Sequence, residues 1–471
     1  MPNTPTLQNR GPCVDTAALH LEPTLVVYRT RAGFTAVTRR LDRNGHPAQN
    51  FFDINTPGRD LLTLVDGRRS LGEITRAYCA ASGLDLSTNA SWIADYFTSV
   101  EERGVLTTGA PSSDPAMTEV GQGTLIRPAH LTVEVTDSCN LECGHCYLEA
   151  SPSKRSRMRY ADFERLIGAF RDHYGLSVEL TGGEFFMNPG WKPILELSLR
   201  EFSLVGLLTN ATVLPDNALA LLSRHADRVT LGISLDSVRP ELHDRLRGRP
   251  RAFERTCRNV RRLVAAGLKV RLGAVIFDEN MWEVRELAQF ALDLGAAMFS
   301  FNYVEDFGRG HSFRSSHEVS FDRSYKEYIE GVLRDFSGLI PIIVGEQVSG
   351  SLNCGAGSGS VTVDPRGYVR PCAIFPRTRV FGNILEDSWP EVFDAPIHQT
   401  FTSIPAPNSN HGCPLTCPQF GACYGCTLKG LKQNANRPIG ERCPWVTANR
   451  LDTAVDLFRD AVTGVNAAGL L

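Results

Sequence analysis

Six short apolar runs, at residues 131–135, 177–180, 205–208, 229–235, 270–277 and 298–304, alternate with stretches of helical period near 160–174, 191–202, 216–225, 253–266 and 281–294. Runs of that length bounded by polar residues read as strands, and the 3.6-residue periodicity between them reads as amphipathic helices. Strand then helix, repeated through six strands, predicts an α/β fold with a parallel sheet and right-handed crossovers, curled partly or wholly into a barrel. Ligands in such folds collect at the carboxyl ends of the strands.

Upstream the pattern is different. Residues 25–36 alternate loosely around Val26, Val27 and Tyr28 and predict a strand or hairpin. Two more apolar runs follow, 51–54 and 61–65, the second closed by the turn pair Asp66-Gly67. Ser70 stands three residues before Glu73, a capping-box spacing ahead of a helix around 74–81, and a second helix, about 91–103, stops at Gly104. These elements predict a small winged-helix-like module. Residues 1–22 carry no period and read as a loose arm, and 107–127, rich in Gly, Pro, Ser and Thr, as a linker. Beyond the sixth run, Gly308-Arg309-Gly310 and a helix near 325–336 form a bridge of no readable role, and 361–369 reads as a hairpin.

Composition narrows the classes. With 42% hydrophobic and 21% charged residues and a net charge of -3, the chain reads as globular, with no bulk field favouring nucleic acid or an anionic membrane. No apolar run has signal-peptide or membrane-spanning length, so the expected location is cytoplasmic. The 13 cysteines are then expected in a reducing compartment, where dense clusters bind metal more often than they form disulfides. Cys13, Cys79 and Cys257 stand alone and read as buried hydrophobes or inert thiols. Three others fall in Cys139-Asn-Leu-Glu-Cys143-Gly-His-Cys146 at the end of the first run, and seven lie between Cys354 and Cys443. Three soft ligands at that spacing can hold a cluster or metal with one coordination position open.

Each later strand end adds a different group: Thr181-Gly182-Gly183-Glu184, then Thr209-Asn210, then Ser234 and Asp236. Paired glycines let a ligand approach backbone, Glu184 offers an acceptor for an amine, and Ser234 and Asp236 can take the hydroxyls of a ribose. A Cys-x3-Cys-x2-Cys loop, a Gly-Gly-Glu and a Ser-x-Asp in this order resemble the radical S-adenosylmethionine (SAM) enzymes over about residues 129–307. The resemblance implies a partial (β/α)6 TIM-like barrel and a 4Fe-4S cluster on Cys139, Cys143 and Cys146. It further implies that the fourth iron is chelated by S-adenosylmethionine, held by Gly182, Gly183, Glu184, Asn210, Ser234 and Asp236. Arg245, in His243-Asp-Arg-Leu-Arg-Gly248, is a candidate for the SAM carboxylate, the alternative being a solvated surface arginine. A structural zinc site explains the cysteine triad but not the Gly-Gly-Glu or Ser-x-Asp.

The seven later cysteines resemble the SPASM extension of peptide-modifying radical enzymes. Carried over by order, Cys354, Cys372 and Cys426 belong to a first auxiliary 4Fe-4S cluster, and Cys413, Cys417, Cys423 and Cys443 to a second. The middle spacings are x3 and x2 where the family more often has x2 and x3. No further cysteine lies between Cys354 and Cys372, which leaves an iron of the first cluster open or bound by another ligand. Two zinc knuckles are the alternative.

The amino-terminal module, through Asn55-Thr-Pro-Gly58, residues 61–70 and Glu102-Arg-Gly-Val-Leu106, resembles the leader-peptide recognition element typified by the peptide chaperone of pyrroloquinoline quinone biosynthesis. That implies leader binding by strand addition; a DNA-binding helix-turn-helix is the alternative, with Arg76 the single base on the 70–81 helix. Together the resemblances imply a post-translational peptide maturase in which a 5'-deoxyadenosyl radical abstracts hydrogen from a precursor peptide or small protein, with flavodoxin or ferredoxin as electron donor. Thioether or other intrapeptide cross-linking, as in quinohemoprotein amine dehydrogenase maturation, competes with residue oxidation and epimerisation. Sulfatase maturases usually carry an Asp where this chain has Ala373, which disfavours them. Glu305 and Asp306 are candidate proton acceptors or solvated loop carboxylates. The rival class is a non-enzymatic iron-sulfur electron carrier. The expected division is arm 1–22, recognition domain 23–107, linker 108–127, radical SAM core 128–310, bridge 311–344, SPASM domain 345–448 and C-terminal helix 449–471.

Overall fold

The computed structural model describes residues 18–23, 25–29, 33–41, 47–107, 117–121, 127–317, 319–345, 354–377, 380–419 and 423–463. Cys13, most of the expected arm and much of the expected linker lie outside them. The chain divides into two compact units, 1–127 and 128–471. No described helix is long and apolar enough to cross a membrane.

In the first unit, β1 (His20–Leu21) pairs antiparallel with β5 (Leu106–Thr107), and β2 (Val26–Arg29), β3 (Phe34–Leu41), β4 (Pro47–Ile54) and β6 (Thr118–Val120) form a sheet in the order β4-β3-β2-β6. Two expectations change here. The end of the arm is a strand because Leu19 and Leu21 enter the unit's core. Residues 118–120 are a strand of the sheet rather than linker: they run parallel to β2, and Glu119 accepts from Arg59 Nε at 2.9 Å. The run at 61–65 belongs mostly to α1 (Thr56–Thr63), started by the Asn55 side chain accepting from Gly58 N. The Ser70–Glu73 capping box forms as expected and opens α2 (Leu71–Ser82). Asp85 caps α3 (Leu86–Glu102) at Thr88 N, five residues before the expected start, because that cap outranks the weak apolar period that follows it. Edge strand β4 and α3 border a cavity of about 440 Å³ lined by Phe52, Ile54, Tyr96, Val100 and Arg103.

The second unit holds the alternating elements, each strand within a residue or two of its expected place: β7 (His130–Glu134), β8 (Ser177–Thr181), β9 (Leu204–Thr209), β10 (Val229–Ser234), β11 (Lys269–Ile276) and β12 (Met298–Tyr303). They are parallel neighbours in that order, with α4 (Tyr160–Asp172), α5 (Trp191–Glu201), α6 (Asp216–Ser223), α7 (Pro240–Arg247), α8 (Ala252–Ala265) and α9 (Val284–Asp293) between them. The sheet runs past the sixth strand. After α10 (Arg309–Ser316) and α11 (Arg323–Asp335), β13 (Ile342–Val344) joins β12 in parallel, so most of the expected bridge is a further helix-strand unit of the same barrel. At the opposite edge β14 (Ser360–Val363) runs parallel to β7 and turns through the expected hairpin into β15 (Tyr368–Arg370) and β16 (Gly382–Asn383). One apolar core, from Leu131 and Val133 through Val361, Val369 and Phe375 to Trp445, serves barrel and cysteine-rich region together. The expected C-terminal helix is present at Asp452–Thr463.

Candidate active site and cysteine groups

The loop bearing Cys139, Cys143 and Cys146 leaves β7 and is held mainly by backbone. Cys139 N donates to Ser151 O at 3.1 Å. The carbonyls at the end of α7, Leu246 and Arg247, accept from Gly144 N and Glu142 N at 3.1 and 3.2 Å, so the loop caps that helix. The 308–310 segment, without a readable role in sequence, clasps the loop from another side. Arg309 donates to Cys143 O and Ala150 O, both at 2.8 Å, and a Cβ on Gly308 would lie 2.5 Å from Tyr147 O. None of the twelve described cysteines is in a disulfide.

Gly182 and Gly183 follow β8 as expected, but what they make room for is different. A Cβ at either would sit 2.3 Å from a carbonyl of the cysteine loop's stem, Thr136 O for Gly182 and Ser138 O for Gly183. The neighbour that excludes a side chain here is protein backbone. Glu184 is buried, and its carboxylate accepts from Thr209 Oγ1 at 2.8 Å, Asn210 N at 2.9 Å and Phe186 N at 3.2 Å. Burial pushes it up to about 7, those hydrogen bonds opposing. Asn210 Nδ2 points at Asn140 Oδ1 (3.0 Å) and at Cys139 Sγ (3.8 Å). Burial, with Glu184 next, pushes the Cys139 thiol up to about 12.

Ser234 ends β10 half-buried, whereas the Asp236 carboxylate is fully buried. Asp236 accepts from Val275 N at 3.0 Å and pairs with Arg247 Nη2 at 2.8 Å. Burial would raise its pKa, but Arg247, His145 and His243 together hold it below the usual carboxylate range. Of the two readings of Arg245, the surface one is what the structure shows, and the arginine turned toward the cysteine loop is its neighbour on α7. Arg245 lies on the surface, its side chain 62% exposed and paired with Glu279, while Arg247 turns inward with Nη1 3.8 Å from Cys143 Sγ. The two sit on opposite sides of α7, an element the apolar pattern did not mark because it holds only two leucines among charged residues. His145 was likewise missed. It is buried beside Asp236, burial lowers it to about 4, and its Nδ1 has no hydrogen-bond partner.

The seven later cysteines separate. Cys413, Cys417, Cys423 and Cys443 line one cavity of about 400 Å³. Burial and then the other three thiols push Cys423 up to about 11. Cys426 lies apart, pushed up to about 12 by burial, with Lys429 opposing and the neighbouring Cys354 thiol and Glu305 adding to the rise. Cys372 stands just past β15. Glu305 and Asp306 are not free acceptors: Glu305 pairs with Lys429 at 2.8 Å, and Asp306 with Lys432 at 3.0 Å and with His311.

These donor sets fit iron-sulfur clusters by chemistry. Each is a set of thiols outside disulfides that deprotonate on metal binding, and the first is faced by N–H donors that favour thiolate sulfur. Comparison with known proteins decides the family. Residues 133–291 match the radical SAM superfamily and 354–427 the SPASM iron-sulfur cluster-binding domain. The chain is 36% identical over 410 residues to the antilisterial bacteriocin subtilosin biosynthesis protein AlbA of Bacillus subtilis, covering 87% of this chain and 91% of that protein. The chain belongs to the radical SAM superfamily.

This radical SAM chain is therefore an enzyme, with S-adenosylmethionine, a 4Fe-4S cluster and auxiliary iron-sulfur clusters as its cofactors. It is also similar to the sporulation killing factor maturation protein SkfB of Bacillus subtilis, at 25% identity over 268 residues, 56% of this chain and 64% of that one. In fold it is similar to Streptococcus suis SuiB bound to its precursor peptide SuiA, with a TM-score of 0.60 at 16% identity over 90% of this chain and 98% of SuiB.

Proposed function

We propose that this radical SAM enzyme modifies a ribosomal peptide or small protein, closing an intrapeptide cross-link of the thioether kind. Its relatives are named for bacteriocin biosynthesis and killing-factor maturation, and the first of them spans nearly the whole chain. The observation that carries the reading is the separate thiol group at Cys354 and Cys426, next to Glu305 at the carboxyl end of β12. A soft-ligand site at the barrel rim suits a substrate that presents a thiolate.

In this reading Cys139, Cys143 and Cys146 hold the first 4Fe-4S cluster, Cys354, Cys372 and Cys426 one auxiliary cluster, and Cys413, Cys417, Cys423 and Cys443 the other. When bound, the first cluster and S-adenosylmethionine supply the means of removing hydrogen from an unactivated carbon. The protein's own part is placement. Glu184 ties the tips of β8 and β9 together beneath Cys139, and Asp236 orients Arg247 toward Cys143. Gly182, Gly183, Asn210, Ser234 and Asp236 border the SAM position, Arg247 replaces Arg245 in that set, and the Nδ1 of His145 is a polar atom free for a ligand. In the first unit, edge strand β4 and the cavity beside α3, which mixes Phe52, Ile54 and Val100 with Asp53, Asn55 and Arg103, receive an extended leader segment. Flavodoxin or ferredoxin supplies electrons.

The test is anaerobic reconstitution with dithionite and S-adenosylmethionine, followed by addition of a precursor peptide encoded beside the enzyme. 5'-Deoxyadenosine should form and vanish in the Cys139→Ala, Cys143→Ala and Cys146→Ala variants, and the peptide should lose two hydrogens with a Cys sulfur in the new bond. A product of unchanged mass would overturn the cross-linking reading, and 5'-deoxyadenosine formation without those cysteines would overturn the site.

A further inference from the structure

One eight-residue helix, Thr427–Asn434, touches both later cysteine groups and the barrel rim. Cys426 is its N-cap, Lys429 and Lys432 pair with Glu305 and Asp306 beyond β12, and Lys432 Nζ lies 4.2 Å from the Phe307 ring centroid. Its last residue, Asn434, is fully buried and is used completely. Oδ1 accepts from Cys443 N at 2.9 Å, while Nδ2 donates to Gly430 O at 2.8 Å and to Cys443 Sγ at 3.2 Å. The partners fix the amide's orientation, because exchanging O and N would set an oxygen against Gly430 O and an N–H against Cys443 N–H.

Asn434 thus places a side-chain donor on a sulfur of the Cys413, Cys417, Cys423 and Cys443 group. Hydrogen bonds to cluster sulfur are a main lever on reduction potential, since a donor stabilises the more negative, reduced state. Trp445 lines the same cavity, buried and anchored by Nε1 to Pro405 O at 3.0 Å.

We propose that Asn434 is a positioning residue for the second auxiliary cluster: its amide fixes Cys443 and, by donating to Sγ, holds that cluster's reduction potential above what its four thiolates alone would give. This rests on the reading that Cys413, Cys417, Cys423 and Cys443 share one cluster. The helix then makes Asn434 the far end of an element whose near end, Cys426, serves the first auxiliary group.

The full chain is reconstituted anaerobically, and the second auxiliary signal is assigned by its loss, with its iron, in Cys413→Ala. Redox titration followed by EPR is then compared for the unmutated protein, Asn434→Asp, which keeps the acceptor and removes the donor, and Asn434→Ala. In both variants the midpoint should move negative, with about a tenfold rise in the oxidised-to-reduced ratio at the unmutated midpoint, equivalent to 59 mV for one electron. The shift should be larger for Asp. A variant that keeps its iron with an unmoved midpoint overturns the proposal. Should both variants lose the cluster, the decision passes to unmutated protein carrying ¹⁵N in its asparagine side chains: pulsed EPR of the reduced second cluster must show the ¹⁵N coupling, and its absence overturns the proposal. Cys413→Ala without loss of iron or signal overturns the cluster reading itself, a distinguishable outcome.

Discussion

Glu134 and Arg370 form an ion pair in which both side chains are shut off from solvent, and Arg377 adds a second contact at 2.9 Å to the other carboxylate oxygen. Glu134 is the last residue of β7, five positions before Cys139, and Arg370 is the last residue of β15, two before Cys372. The pair therefore joins the strand that feeds the first cysteine loop to the hairpin that feeds an auxiliary cysteine. Arg370 also donates to Phe375 O at 2.5 Å, which fixes the turn after Cys372.

Removing the charge from one partner leaves the other buried and uncompensated. Glu134→Gln should cost about 3–5 kcal/mol in chemical denaturation of the holoprotein. The Arg370→Gln, Glu134→Gln double variant should recover part of that loss, and a simple sum of the two single effects would show that the residues are not coupled.

Burial alone would raise the Glu134 pKa, but Arg370 and Arg377 outweigh it and hold the carboxylate below its ordinary value. A depressed acid contributes stability that is complete above the unfolded value of about 4.3 and is lost as pH falls through the folded value. Unfolding midpoints measured across that acid range should drop in the unmutated protein and flatten in Glu134→Gln.

Arg245 and Arg247 separate surface from site. Arg245→Ala should change stability by about 0–1 kcal/mol and leave 5'-deoxyadenosine formation near its starting rate, since its pair with Glu279 is exposed. Arg247→Met strands Asp236 in a buried position and should cost about 3–5 kcal/mol, with a large fall in SAM cleavage. Equal effects of the two substitutions would refute this placement.

Gly183→Ala places a methyl 2.3 Å from Ser138 O and 2.9 Å from Asp137 O, so the stem of the cysteine loop must move. We expect a loss of about 1–3 kcal/mol and depressed iron at the first site, while the auxiliary iron stays. The tolerant control is Gly168→Ala, where a Cβ meets nothing within 4 Å.

The barrel was readable because its strands are short stretches dominated by buried apolar residues, as in β11, where every second residue is buried, and its helices, α7 apart, carry an apolar stripe. The cysteine groups were readable from ligand spacing and family resemblance. What stayed hidden depends on contacts distant in sequence. Gly308 and Arg309 gain their role from carbonyls more than 150 residues earlier, and nothing local distinguishes Arg247 from Arg245. β13 is three residues of modest burial, too short to register as a seventh strand. The protein partners of Glu184 and Asp236 were equally hidden: Asn210 and Thr209 donate to the first carboxylate, and Arg247 and Val275 engage the second.

The pairing of β14 with β7 sets a timetable for synthesis. His130 meets Ser360 across that edge, so the first barrel strand acquires its outer neighbour only after about 230 further residues have been made. At about 5–20 residues per second that is on the order of 10–50 s, during which β7 presents an unsatisfied edge and the thiols of its loop are already outside the ribosome. Iron delivered early would find three cysteines whose supports are still being translated. Faithful cluster loading thus falls late, after Arg370 has reached Glu134, and conditions that slow elongation should favour misloaded or aggregated chains over slow but correct ones.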